Sequence, residues 1–302
     1  MSNNILCVGE ILWDALPSGL YLGGAPYNVS VHLHELGEGV SFASRVGRDR
    51  LGQEVKRRVE RAGISTDLIQ TDDYYETGFV EVELDANGNP EYTIIEPVAW
   101  DHIELEAQLK QRANEAWGIV FGSLAQRKTH SRETISNLLE SSAKKILDLN
   151  IREPFYDKGT IQLSMKAADV LKFNEVELEL LTDWFNLPAD ERQAMEKLSS
   201  SFECETVCMT RGSEGSILFH EEEWSEHPGF CVSTADAVGA GDAFLAALIS
   251  GLHQNLEPDE LLSHANATGA YVATQNGATP HYTMHNIIEL KKSAEVNQLQ
   301  HD

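Results

Sequence analysis

Short apolar runs alternate with helix-patterned stretches along most of this 302-residue chain, and that rhythm restricts the fold more than any other feature. Strand candidates are Ile5–Gly9, Val40–Val46, Gly118–Gly122, Lys145–Leu149, Asp169–Phe173 and Glu205–Thr210. Helical spacing appears over Pro26–Leu36, Leu51–Ala62, Glu104–Glu115, Thr129–Ser142, Glu175–Trp184, Ala240–Ser250, Glu257–Thr274 and Met284–Ala294. Pro26 at a first helical position and Gly37 just past the helix end follow the known capping asymmetry. Strand–helix alternation on this scale predicts an α/β fold: a mostly parallel sheet with helices on both faces. Ligands of such folds bind beyond the C-terminal ends of the strands.

Two stretches break the rhythm. Ile11–Gly24 reads as extended chain around the turn residues Pro17-Ser18-Gly19. Thr77–Ile95 reads as a hairpin, with Phe79, Val80, Val82 and Leu84 before the turn Asp85–Pro90 and Tyr92–Ile95 after it. A small β lid of residues 11–24 and 76–96 is therefore expected beside an α/β body of residues 1–10, 25–75 and 97–302. Such a flap would exclude water from a site; a surface decoration or a homodimer contact through a sheet edge fits the same pattern.

With 48 acidic against 23 basic residues, the net charge is −25, which argues against nucleic acid or anionic membrane as partner. A nucleotide substrate would need backbone amides, Mg²⁺ and a few basic side chains to hold it. The four cysteines are scattered, and Cys204 and Cys208 lack the second pair that a zinc site needs. No signal peptide or membrane span is visible, so the expected location is the cytoplasm.

The chemistry concentrates in Asp236-Ala237-Val238-Gly239-Ala240-Gly241-Asp242-Ala243-Phe244, ahead of the apolar Leu245, Leu248, Ile249 and Leu252. Gly251 is placed to help end that helix. A glycine turn opening a helix offers unpaired N–H groups and a positive dipole end, both suited to phosphate. Asp242 then stands beside the anion as a carboxylate able to take a proton. The segment is not a Walker A loop, since no Gly-Lys-Ser/Thr occurs in the chain. Nor is it a dinucleotide fingerprint, because Phe244 occupies the third glycine position. A turn serving only to bend the chain remains the alternative for this stretch taken alone.

A second glycine segment, Gly23-Gly24-Ala25-Pro26-Tyr27-Asn28-Val29-Ser30 with Gly37 and Gly47 following, accompanies the first. Together the two resemble the ribokinase-like, phosphofructokinase-B family of sugar kinases over nearly the full length. Gly9–Asp14, Phe121–Leu124 and Asp148–Arg152 look most like bacterial fructokinases. Ala237, Ile151 and Glu153 depart from the commoner residues of relatives. The resemblance implies a ribokinase-like fold and transfer of the γ-phosphate of ATP, with Mg²⁺, to a sugar hydroxyl, fructose first. It also admits 2-keto-3-deoxygluconate, ribose or a nucleoside as acceptor. A binding-only relative and a hydrolase are rivals from other classes; the first is disfavoured because Gly239–Asp242 is intact, the second because no Ser-His-Asp or metal cluster is apparent.

The resemblance also implies roles. Asp242 would be the base, with the amides of Gly239, Ala240 and Gly241 as anion hole. Asp14 and Asn28 would hold sugar hydroxyls beside Gly23 and Gly24, although a turn former and a first-turn polar residue are the plainer accounts. Arg152 would clamp substrate or phosphate, or make a surface ion pair. Asn174 and Glu177 would lie near the phosphates and Mg²⁺, the latter through water; their spacing is equally that of a capping box. Thr210, Arg211, Gly212 and Gly215 would form the nucleotide-side turn, or simply a hairpin. Asn266 would approach the adenine, and Asp236 with the Gly277–Pro280 loop would bind K⁺. His32 and His34 are two apart on a helix and cannot jointly ligate a metal, and Glu221-Glu222-Glu223 reads as a solvated turn.

Overall fold

The computed structural model describes residues 4–16, 19–84 and 90–299. The chain divides into two compact units, residues 1–31 with 39–143 and residues 32–38 with 144–302.

Up to residue 143 the elements run β1 (Asn4–Val8), β2 (Leu12–Leu16), β3 (Gly19–Gly23), α1 (Ala25–Glu35, its residues from His32 on assigned to the second unit), β4 (Gly39–Gly47), α2 (Arg50–Arg61), β5 (Ile69–Asp72), β6 (Gly78–Leu84), β7 (Pro90–Ile94), α3 (Ala107–Glu115), β8 (Gly118–Gly122) and α4 (Thr129–Leu138). Strands β8, β1, β4 and β5 pair side by side, all parallel. Strands β1 and β8 are apolar on both faces, as strands covered twice must be: Ile5–Val8 of β1 and every residue of β8 are buried. Asp49 caps α2 by accepting from Gly52 N at 2.7 Å, and its other oxygen accepts from Thr77 N at 2.8 Å. One carboxylate thus starts a helix and fixes the entry to β6.

The two rhythm-breaking stretches meet in a separate four-stranded sheet. There β2 pairs antiparallel with β3 and parallel with β6, and β6 pairs antiparallel with β7. The sheet is mixed, since β2 and β6 are far apart in sequence. The expected turn residues Pro17, Ser18 and 85–89 lie outside the described residues.

The second unit contains β9 (Lys144–Asp148), α5 (Lys158–Ala167), β10 (Val170–Asn174), α6 (Glu175–Phe185), α7 (Glu191–Phe202), β11 (Thr206–Thr210), β12 (Ser216–His220), β13 (Glu223–His227), α8 (Ala240–His253), α9 (Pro258–Ala273) and α10 (Met284–Leu299). Strands β9, β10 and β11 are parallel, and β12 and β13 extend them antiparallel. Residues 243–251 of α8 are all buried, so this helix is apolar all round.

Differences from the sequence expectation have local causes. Helices α5 and α7 lie outside the sequence expectation: α5 buries the half-polar face Thr160, Ile161, Ser164 and Met165, α7 the apolar stripe Ala194, Met195, Leu198 and Phe202, and both carry side-chain caps, Asp157 accepting from Thr160 N and Asp190 from Gln193 N. Gly251 does not end α8, which runs on to His253; Leu261 and Leu256 pack over the space its missing side chain leaves. Glu221 and Glu222 do form a turn, both with positive φ, but Glu223 begins β13.

Candidate active site

In the first unit, the step from β3 into α1 gathers polar groups around two glycines. Gly24 has φ +114°, and a Cβ there would lie 2.4 Å from the Glu10 carbonyl oxygen. A Cβ on Gly23 would lie 2.6 Å from Asp14 Oδ2, so only glycine lets that carboxylate rest across the strand. Asn28 donates its N–H to Gly24 O at 2.9 Å and is 5% exposed on α1. Asp14, Gly23, Gly24 and Asn28 are thereby held together.

The second unit builds an anion cradle at the start of α8. Gly239 sits at the N-cap with φ +80°, its backbone pressed on Ala278: a Cβ would fall 2.3 Å from the Ala278 carbonyl oxygen. The Ala240 N–H turns back to Ala237 O at 3.3 Å, whereas the N–H groups of Gly239 and Gly241 meet no backbone carbonyl among the described residues. Asp242 is the third residue of the helix and half-buried. Asp236 ties the approach together, accepting from Val238 N at 3.0 Å through Oδ1 and from Gly277 N at 3.2 Å through Oδ2. His32 braces the same loop. It is buried and neutral, its pKa pushed down to about 4 by desolvation. Because a carbonyl only accepts, Nε2–H donates to Ala278 O at 2.9 Å, which leaves Nδ1 to accept from the Tyr282 hydroxyl at 3.1 Å.

Asn174 and Glu177 form the capping box: Asn174 Oδ1 accepts from Glu177 N and Glu177 Oε2 accepts from Asn174 N, both at 2.9 Å. The other Glu177 oxygen takes the Ile151 N–H at 2.7 Å and so anchors the segment after β9. Burial, with the Asp148 charge, raises the Glu177 carboxyl above its usual range, while Lys172 and the two amides act in the opposite direction. Arg152, next along, is exposed and donates to Ile151 O at 3.1 Å.

The nucleotide-turn candidates are engaged with the protein itself. Arg211 pairs with Glu226 at 2.6 Å and Glu191 at 2.7 Å. Gly212 has positive φ, and a Cβ on Gly215 would meet His227 O at 1.9 Å, so the turn closes against the end of β13. Thr210 ends β11. Asn266, buried on α9, donates to Ser216 Oγ at 2.7 Å and Leu262 O at 2.8 Å.

Sequence reasoning missed a buried ion pair. Lys172 Nζ donates to Asp148 Oδ1 at 3.0 Å and Oδ2 at 3.2 Å. A Cβ built on Gly241 would stand 3.6 Å from that nitrogen. Burial alone would lower the ammonium's pKa, but Asp148, Glu177 and Asp242 outweigh it and keep Lys172 charged. The available signal was a lone lysine inside the apolar run Val170-Leu171-Lys172-Phe173.

The chain matches known proteins over most of its length. The model of the pfkB family of carbohydrate kinases matches residues 18–283. A fructokinase of Salmonella typhimurium is 27% identical over 298 residues, covering 92% of this chain and 95% of the relative. A fructokinase from Xylella fastidiosa, solved with bound ATP, superposes with a TM-score of 0.84 at 23% identity, covering 98% and 100% of the two chains. One from Vibrio cholerae, solved with fructose, ADP and potassium, gives 0.81 at 23% identity, covering 96% and 98%. The fold is ribokinase-like, and the chain, matched over most of its length, belongs to the pfkB family of carbohydrate kinases.

Proposed function

We propose that this kinase phosphorylates fructose at its C6 hydroxyl, using ATP. The observation that carries the reading is the start of α8, where a positive-φ glycine turn, two amides and the Asp242 carboxylate converge at one helix end. The sugar oxygen attacks the γ-phosphorus as its proton passes to Asp242, and the bond from that phosphorus to the bridging oxygen breaks to release ADP. The N–H groups of Gly239 and Gly241 offset charge on the transferring group. Asp14 and Asn28, with the backbone of Gly23 and Gly24, hold the sugar hydroxyls, and Arg152 reaches the substrate or its phosphate from the loop after β9.

Glu177 already accepts two backbone N–H groups, so its fit to Mg²⁺ is through water, with Asn174 beside it. The ion, when bound, neutralises phosphate charge. Thr210, Gly212 and Gly215 supply the nucleotide-side turn, while Arg211 and Asn266 support its walls through the partners described above. The Asp236–Gly277 contact joins the two loops that a K⁺ ion would bridge. Leu20 and Tyr21, exposed on the edge strand β3, favour a homodimer through the small sheet.

Fructose is preferred because the Salmonella relative bears that name at 27% identity and the Vibrio structure holds fructose. Coupled ADP formation with fructose, 2-keto-3-deoxygluconate, ribose and nucleosides, in KCl and in NaCl, tests the assignment. Fructose should give the highest kcat/KM, with stimulation by K⁺; no turnover of fructose refutes the substrate.

A further inference from the structure

We propose that Lys172 is the cation of the phosphoryl site, its ammonium donating to the transferring group held at the start of α8. The inference rests on the kinase reading above and adds a residue to it. Lys172 is 7% exposed in β10, and Asp148, its partner in β9, is 4% exposed. Two of the contacts around the ammonium are spent on the two Asp148 oxygens. An ammonium has three donors, and Gly241 sets no side chain against it: a Cβ built there would stand 3.6 Å from Nζ, at ordinary contact distance. Asp242 and Glu177 both act electrostatically on the same nitrogen, which places it among the acidic groups of the site.

Stability does not account for this pair. Buried ion pairs are often no better than apolar packing of the same volume, and the neighbours Val170, Leu171 and Phe173 are apolar and buried. A positive charge under the glycine turn has a chemical use. As the phosphorus–oxygen bond to ADP breaks, charge gathers on the phosphoryl and leaving oxygens, and a fixed ammonium in a dry site offsets it. Lys172 stays protonated throughout, and the sugar's proton goes to Asp242.

The test compares ATP and ADP binding by calorimetry, with Mg²⁺ and without sugar, alongside steady-state kinetics. The proteins are wild type, K172R, G241A and the double variant K172M/D148N, which removes both charges of the pair together. The double variant should lose about tenfold or more of the preference for ATP over ADP and about a hundredfold or more in kcat, with ADP affinity unchanged. K172R should restore part of both. G241A adds a methyl at ordinary contact distance and should lower kcat without lowering Tm. Equal weakening of ATP and ADP would show a purely structural lysine, and a double variant with wild-type kcat and ATP preference overturns the proposal. Because the binding comparison needs no sugar, its failure is distinct from a wild-type protein that ignores fructose.

Discussion

Asp242 occupies the third position of α8, where a carboxylate complements the helix dipole whether or not it takes a proton. The two roles separate experimentally. D242N keeps the shape and removes the base, so kcat should fall by about 10²–10⁴-fold while calorimetry finds nucleotide affinity nearly unchanged; retained turnover would show that the base lies elsewhere. Gly239 carries a different burden. With φ +80° and Ala278 O only 2.3 Å from a built Cβ, G239A meets both backbone strain and a main-chain clash. We expect a loss of about 1–3 kcal/mol in urea unfolding, whereas G241A, whose nearest neighbour is the flexible end of Lys172, should unfold like wild type.

At the scale of elements, α6 is where a helix cap and a candidate site share the same atoms. Asn174 and Glu177 close the box, and the second Glu177 oxygen reaches the loop that carries Arg152. The spacing of the two residues made the cap legible in sequence, but Ile151 as third partner was not, being 26 residues away. E177A orphans both the Asn174 and the Ile151 N–H groups. It should cost about 2 kcal/mol in urea unfolding and raise hydrogen exchange at Ile151 and the start of α6. An effect confined to α6 would contradict the coupling.

For the whole molecule, two buried histidines add a pH-dependent contribution to stability. Desolvation holds His32 and His264 neutral, each with its pKa pushed down to about 4, the charge of Lys291 assisting at His264. Unfolded, both protonate below pH about 6.5. The unfolded state therefore binds more protons between these values, so stability from these sites is complete above pH about 6.5 and is lost as pH falls. The slope is up to about 1.4 kcal/mol per pH unit for each histidine. Urea unfolding at pH 7, 6 and 5 should show that decline, and H32Q, which cannot protonate, should flatten it; an unchanged slope in H32Q would remove His32 from the account. No helix among the described residues is long and apolar enough to cross a membrane.

Periodicity and punctuation are local, and what they encode was readable from the chain alone: the parallel strands other than the short, polar β5, most helices, the two strands of the 77–95 hairpin and the glycine turn before Asp242. Helix α5 escaped because half of its buried face is polar, Thr160 and Ser164, whereas the stripe Ala194, Met195, Leu198 and Phe202 of α7, with its Asp190 cap, was legible and went unread. Only the tertiary structure decided which groups meet across long separations. Lys172 finds Asp148 at 24 residues' distance and Asn266 finds Ser216 at 50, while Arg211 is claimed by Glu191 and Glu226. Such partners depend on which strands lie side by side and in what register. A one-residue slip would turn Lys172 to the opposite face of the sheet, and no pattern within β10 alone records that Asp148 stands opposite it in β9.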